Sequence, residues 1–283
     1  MEPINIKYRT WHKALGPRPI RLQIPGWAGS RNGHGDGDEP QPWHCTPFVE
    51  ASTYGMEISY DFDTPCDVKL GKDGKVEFVG DFSKEQELVP DTKLPPFSAF
   101  APGHFGTTSC LDIKVPEGHV LRIEPHPRFY TDDTWTCPCA VPGHLATSWW
   151  PKMFFVVFRN PAPGQRLVFR KGEPYAQLLV LPRKAAYKIG EMESCEKFAR
   201  IALEDRMDSC KKAIVTNDWH DHSGNNFNDK YRILNNVSIR NGTEGVMRFL
   251  DEANAGRLGA RNRVRLMRYV KRRADEGLQD KEG

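Results

Sequence analysis

The sequence predicts a mainly β protein, either a sandwich or a barrel-like β-roll, followed by a helical C-terminal region. Short apolar segments of strand length follow one another between residues 96 and 188. Turns rich in proline and glycine separate these segments, and no helix interrupts them, which is typical of all-β folds. From residue 190 onwards the apolar residues change to helical spacing. We therefore expect two regions of different architecture.

The first 95 residues combine short strands with long polar loops, and their clearest element is a hairpin from Lys69 to Val79. Asp73 and Gly74 lie between two segments of alternating polarity. An Asp-Gly pair tolerates the positive φ that both central residues of a type I′ turn require. The sequence therefore predicts a tight turn of this type.

Residues 96–188 form the predicted core of the β domain. Five segments have strand character: Cys110–Val115, His119–Glu124, Met153–Phe158, Arg166–Phe169 and Tyr175–Leu181. The last of these is almost continuously apolar, which predicts a central strand buried on both faces. Turns are predicted at Pro116–Gly118 and at Pro161–Gly164.

The C-terminal region carries three predicted helices, at Glu191–Ile214, at Thr243–Ala253 with an N-cap at Asn241 or Thr243, and at Arg261–Glu276. A polar loop is expected between the first two. We therefore predict a β-rich domain over residues 1–188 and a basic helical extension over residues 189–283 that packs on it.

Composition limits the class of protein. The chain lacks an apolar run of about 18 residues, so no membrane span is expected. The first residues lack the basic and apolar segments of a signal peptide, which favours a cytoplasmic protein. The seven cysteines are odd in number and scattered, so we expect free thiols.

The charge distribution bears on nucleic-acid binding. A formal charge of +3 is too small to imply a nucleic-acid partner, although eight Lys and Arg residues and no acid lie between Arg257 and Arg273. The apolar side of that predicted helix, which carries Leu266, Met267 and Val270, is expected to pack on the β domain. We therefore interpret the arginines as a solvated face.

The loop from Gly26 to Cys45 is the candidate metal site. His34 and Asp36 are separated by one glycine, and His44 follows nearby. Two histidines and one carboxylate form the facial triad of non-haem iron enzymes, and the missing ligand could be His44 or a distant histidine such as His104 or His144. We predict Fe(II) or another divalent metal here. The alternative is a solvated loop, because Asp and Gly favour turns for backbone reasons alone.

Candidate substrate contacts come from the β domain. Arg122, Arg128 or Arg159 could anchor a carboxylate, and Trp135 and Trp149 could form apolar walls of a pocket. The same aromatic residues could equally be ordinary core residues. Cys137 and Cys139 are spaced too closely for a zinc knuckle and are better explained as small apolar residues in a long loop.

Two functions follow from these features. The first is a metal-dependent enzyme, most simply a non-haem iron oxygenase acting on a small molecule or a peptide. The second is a non-catalytic binding or assembly module with a β scaffold and a basic helical tail. The sequence favours the enzyme slightly, because the His/Asp loop and the aromatic residues occur together, and it predicts no oligomeric state.

Several short motifs of the central region resemble a bacterial and phage family, domain-of-unknown-function family 6065. The motifs are His104–Gly106, Lys114–Leu121, Pro125–Pro127, Trp149–Pro151 and Phe169–Tyr175, within about a third of the chain. This resemblance implies a fold type and assigns no activity.

A second resemblance concerns Lys171–Val180, which is similar to the closing strand of dUTPase-like enzymes. Those enzymes also require an Arg-Ser-Ser phosphate-binding segment, which this chain lacks. We therefore attribute the similarity to a common way of ending a β barrel and do not predict a nucleotidohydrolase.

Overall fold

All strand pairs among the described residues of the computed structural model are antiparallel. The residues described are 3–10, 15–20, 45–88, 90, 93–130, 132, 134–215, 218–220 and 226–257. The chain folds into two units, one formed by residues 1–24 and 50–186 and the other by residues 25–49 and 187–283. Among the described residues, no helix combines the length and apolarity that a membrane crossing requires.

The first unit contains thirteen of the described strands. They are β1 (Lys7–Thr10), β2 (Arg18–Pro19), β3 (Met56–Ser59), β4 (Cys66–Leu70), β5 (Val76–Val79), β6 (Phe97–Ala101), β7 (His104–Thr108), β8 (Leu111–Lys114), β9 (His119–Pro125), β10 (Gly143–Leu145), β11 (Phe155–Arg159), β12 (Arg166–Phe169) and β13 (Pro174–Pro182). Helix α1 (Thr46–Ser52) spans the boundary between the units, and α2 (Ser83–Leu88) follows β5.

These strands form four open sheets. The largest has the order β10-β9-β13-β3-β2, and two three-stranded sheets have the orders β11-β7-β6 and β12-β4-β5. Strands β1 and β8 form a separate pair. Among the described strands no sheet closes on itself, so the mainly β prediction is confirmed as an assembly of open antiparallel sheets.

The core of this unit is dominated by aromatic side chains. Phe97 and Phe169 have ring centroids 4.6 Å apart, and Phe105 stacks on Phe158 at 5.2 Å. Period-2 alternation explains this core, because Phe105 and Phe158 are register partners on β7 and β11 and both point inward. Burying several large rings in one cluster is the main apolar contribution to the stability of the unit.

The prediction of a central strand is confirmed by β13, which pairs with β9 on one side and with β3 on the other. Its first half, from Tyr175 to Leu178, is buried, whereas Leu179 to Leu181 are partly exposed. The hairpin of β4 and β5 is confirmed as well, but its predicted turn is wrong. Within this loop only Gly74 has positive φ. Gly71 donates its N–H to Lys75 O, so the loop spans five residues.

The second unit contains α3 (Ser194–Ser209), α4 (Lys211–Ile214), the hairpin of β14 (Asp218–His220) and β15 (Asn226–Asn228), and α5 (Lys230–Asn254). The predicted first helix is therefore divided near Cys210. The predicted polar loop contains this short hairpin, and α5 begins well before Thr243. Gly242, with φ +66°, kinks α5 just before that residue. The third predicted helix lies outside the described residues.

A small apolar cluster holds this second unit together. Leu250 and Ile214 are almost fully buried in it, with Leu234 and Val246. The thiol of Cys210 donates to Leu250 O at 3.3 Å, and Arg206 pairs with Asp251 at 3.1 Å. The predicted helical character of this region is thereby confirmed.

Candidate functional site

Asp132 organises the loop that precedes β10. One carboxylate oxygen accepts from the backbone N–H of Thr134 at 3.2 Å and from the Thr134 hydroxyl at 2.5 Å. The other accepts from the N–H groups of Thr136 at 2.9 Å and Cys137 at 2.7 Å. Partial burial alone would raise the pKa of Asp132, but these hydrogen bonds outweigh it and lower the pKa. The loop is thus built around one ionised carboxylate.

Trp135 lies inside this hydrogen-bonded loop and points away from it. Its side chain is 78% exposed, and its φ is +57°. Positive φ is rare for a bulky residue and costs of the order of 1–3 kcal/mol, so it persists only where the surroundings enforce it. Here the four hydrogen bonds to Asp132 enforce it. The sequence predicted Trp135 as a ligand contact but did not identify Asp132 as its support.

The segment that follows Trp135 is attached to the β frame. Val168 of β12 donates its N–H to Thr136 O at 2.9 Å. Further along, Val141 donates its N–H to Val157 O at 2.7 Å, and Ala140 forms a β-bridge with Phe158 of β11. The chain directly after Trp135 is therefore anchored to β12 and β11.

Arg128 and Arg122, two of the three predicted carboxylate anchors, both have acidic partners. Arg128 Nη2 contacts Glu173 Oε2 at 2.9 Å, and the Arg128 side chain is only 14% exposed. Arg122 pairs with Glu124 through its Nε, and its Nη1 lies 3.3 Å from His144 Nε2. A substrate carboxylate would have to displace these acids.

Trp149, the second predicted aromatic wall, is 64% exposed and packs edge-on against Trp150, with ring centroids 5.6 Å apart. Both tryptophans follow a turn in which they donate their backbone N–H groups to Ala146 O. Neither indole is a core residue, since Trp150 is 45% exposed.

The predicted metal site falls mostly outside the described residues, because His34, Asp36 and His44 all do. His104, the fourth candidate, starts β7 and directs Nδ1 to Pro102 O at 3.0 Å. No group of three or more His, Cys, Asp or Glu side chains within the described ranges could hold a metal ion. Burial raises the pKa of Cys137 to about 12 and also raises that of Cys139, so both thiols are protonated at neutral pH. The metal site stays a prediction.

A cluster of three polar side chains links β2, β3 and the residue that follows β9. Glu57 Oε2 lies 3.1 Å from His126 Nε2, and Glu57 Oε1 lies 2.5 Å from Arg18 Nε. The side chains of Glu57 and His126 are 2% and 4% exposed. His126 Nδ1 accepts from the Arg128 N–H at 3.2 Å, so the ring proton lies on Nε2 and is donated to Glu57.

This arrangement gives His126 a structural role. Burial would raise the pKa of Glu57, but His126 and Arg18 outweigh it and lower the pKa below 4.5. Burial lowers the pKa of His126 below 6.5, against the opposite effect of Glu57. At neutral pH the Glu57 carboxylate is therefore balanced by Arg18, and the imidazole is neutral. With both ring nitrogens occupied, His126 has no position for a substrate. Sequence analysis could not find this pair, because 69 residues separate its members.

Asp61 is a carboxyl group of this unit whose pKa is raised. Burial raises the pKa of Asp61 from 3.8 to about 6, although the backbone N–H of Leu15 acts in the opposite direction. Its Oδ1 atom is buried and has no hydrogen-bond partner within the described part of the chain. Burial, and to a smaller extent the charge of nearby Asp61, raise the pKa of the Cys110 thiol, which belongs to a non-glycine residue with φ +52°.

Comparisons with known proteins assign no family. No family model matches the chain, and no curated protein matches it. The resemblance to domain-of-unknown-function family 6065 therefore stays a prediction. Among solved structures, the native dUTPase of EIAV is similar with a TM-score of 0.32 and 9% identity, covering 67% of this chain and 98% of its own. The dUTPase from phage phi11 of S. aureus is similar with a TM-score of 0.31 and 11% identity, covering 67% of this chain and 99% of its own.

Proposed function

We propose that this protein is a recognition module that binds a protein or peptide partner through Trp135. The observation that carries the proposal is a tryptophan that is 78% exposed on a backbone with φ +57°. Strained backbone that the surroundings over-determine is concentrated at functional sites. Binding residues are also commonly carried on loops that a rigid scaffold positions.

The energetics of Trp135 favour a contact role. Tryptophan is among the residues most enriched at the energetic centres of protein interfaces. Because the loop is already ordered by Asp132, a partner that covers the indole loses little conformational entropy in doing so. Burying one large aromatic side chain contributes of the order of 2–3 kcal/mol, which is more than a tenfold change in Kd.

Phage-displayed random peptides selected on the immobilised protein provide the test. We expect selected peptides to bind the parent protein and to lose at least about tenfold in affinity for Trp135→Ala, as truncation of an interface tryptophan typically does. Leu88→Ala is the matched control, because Leu88 is 80% exposed in the same unit and lies on a short helix. Peptides that bind the parent and Trp135→Ala equally well would contradict the proposal, and so would a selection that enriches no binder.

A further inference from the structure

The sheet of β6, β7 and β11 has an outer face that is apolar and contains no acid. The sequences of the three strands are FSAFA, HFGTT and FVVFR, so their only formally charged side chain at neutral pH is Arg159. Alternation directs Phe105, Val156 and Phe158 into the core and leaves Phe155, Val157 and Arg159 on the opposite face.

Two phenylalanine rings form the apolar part of this face. Phe100 and Phe155 are 60% and 37% exposed, and their ring centroids lie 5.6 Å apart. The Phe155 ring lies over Gly106, where an added Cβ would come within 2.2 Å of a ring carbon. Met153, 38% exposed, lies beside this pair, with its sulfur 3.9 Å from the Thr108 hydroxyl. The absence of a side chain at residue 106 lets the rings lie across the sheet as a platform.

Arg159 gives this face its charge. It is exposed, and within the described part of the chain its guanidinium has no hydrogen bond or ion pair. His104 is its register partner on β7, so an imidazole and no acid lies directly opposite. Arg122 and Arg128, in contrast, are both neutralised by glutamates. An unpaired guanidinium on the same face as exposed aromatic rings is the composition typical of an interface centre.

We propose that this outer face is a docking surface for an acidic, apolar segment of a partner protein. Apolar side chains of the partner would cover Phe100 and Phe155, and a carboxylate of the partner would pair with Arg159, the geometry that a guanidinium favours. The inference rests on the proposed recognition function and adds the chemistry of the partner to it. A backbone hydrogen bond connects the two surfaces, because Arg159 donates its N–H to Cys139 O at the end of the Trp135 loop.

Single-stranded nucleic acid is the other polymer that stacks on exposed aromatic residues of a sheet. It also requires several cations, since each bound phosphate needs neutralisation. One arginine on three strands supplies too few, and the face therefore favours a partner with isolated carboxylates.

The experiment measures the anisotropy of labelled peptides that alternate Asp or Glu with Phe or Leu. Basic peptides of the same pattern and a single-stranded oligothymidine are measured beside them. We expect the acidic peptides to bind, with an affinity that falls as salt is raised. Arg159→Glu should lower the affinity for acidic peptides at least about tenfold, since like charges then face each other, and should raise the affinity for basic peptides. Phe100→Ser should lower the affinity for both the acidic and the basic peptides. The Phe100 side chain is exposed enough for this change to leave folding intact.

Two controls keep the interpretation specific. Arg183→Glu reverses another exposed cation of the same unit and should leave the preference unchanged. Trp135→Ala separates this inference from the proposed function, because a loss confined to Trp135→Ala would support Trp135 and overturn the sheet face. Stronger binding of the oligothymidine than of the acidic peptides, or an unchanged preference in Arg159→Glu, would also overturn the docking surface.

Discussion

Asp61 and Asp132 show how two carboxyl groups of one unit acquire opposite properties. Four hydrogen bonds hold Asp132 in its charged form, and they lower its pKa. Asp61 is half-buried, its Oδ1 atom is unpaired among the described residues, and its pKa rises to about 6. The first carboxylate therefore stabilises a loop, whereas the second costs stability once it ionises.

We predict that Asp61→Asn stabilises the protein at neutral pH and has little effect in acid. The native state keeps the Asp61 proton up to about pH 6, whereas the unfolded chain loses it near pH 3.8, so native stability falls as pH rises through this window. A shift of this size corresponds to at most about 3 kcal/mol. The free energy of urea unfolding should be compared for both proteins near pH 4 and near pH 7. An equal difference at both pH values would show that Asp61 does not titrate in this way.

Sequence reasoning identified Trp135 as a contact residue but did not identify Asp132, whose hydrogen bonds hold its loop. Any tryptophan is a candidate contact residue because of its residue type, and Trp135 is a candidate for this reason. Asp132 is followed by threonines at positions 134 and 136, a local pattern that favours side-chain hydrogen bonds to backbone N–H groups and could have indicated the loop. The Glu57–His126 pair left no such signal, because only the β3-β13-β9 order brings its members together.

The strands of the first unit differ in how well their sequences predict them. Strands β9, β12 and β13 carry alternating or continuous apolar residues and were predicted nearly to their ends. Strands β6 and β7 were missed, since alanine, glycine and threonine weaken the pattern and Pro95, Pro96 and Pro102 interrupt it. Long-range pairing with β11 makes these segments strands in spite of their local propensity.

The close packing of Phe155 on Gly106 predicts an energetic coupling between β7 and β11. Gly106→Ala should destabilise the protein by about 1–3 kcal/mol, because the new methyl group overlaps the ring. In a Phe155→Ala background the same change should cost at least about 1 kcal/mol less. Part of the cost should remain, since Val156 O lies 2.7 Å from the added Cβ position. Urea unfolding of the four proteins measures the coupling.

Gly143→Ala is the control for this cycle. Gly143 also lies in a strand, but an added Cβ there meets nothing within 4 Å. Its substitution should be nearly neutral in both backgrounds. Additive effects of Gly106→Ala and Phe155→Ala would show that the ring yields freely and that the contact carries no coupling.

For the whole molecule, the two functions predicted from the sequence differ in their chemical requirements. A recognition module needs only the surfaces of the β unit. The metal-dependent enzyme needs His34, Asp36 and a further histidine, most of which lie outside the described residues. Its cofactor, Fe(II) or another divalent metal, stays a prediction, and so does the packing of residues 189–283 on the β domain.

Elemental mass spectrometry of untagged protein tests the enzyme directly. If the loop from Gly26 to Cys45 binds a metal, the parent should contain about one iron, manganese or zinc per chain, and His34→Ala should lose it. His119→Ala serves as the control, because His119 lies in β9 and directs Nδ1 to Glu117 O. Metal-free protein after anaerobic reconstitution with Fe(II) would count against the enzyme and leave the recognition module.

The enclosure of His126 has a consequence for the exchange of protons with solvent. An imidazole N–H on a surface exchanges with water too fast to be observed, but this one is donated to a carboxylate and shielded on all sides. Its proton can exchange once the His126 and Glu57 side chains separate, so its exchange lifetime measures how often this part of the sheet opens locally. The exchange rate of this one resolved imidazole proton in a nuclear magnetic resonance spectrum would thus report the local opening of the sheet in the unit that carries the recognition loop.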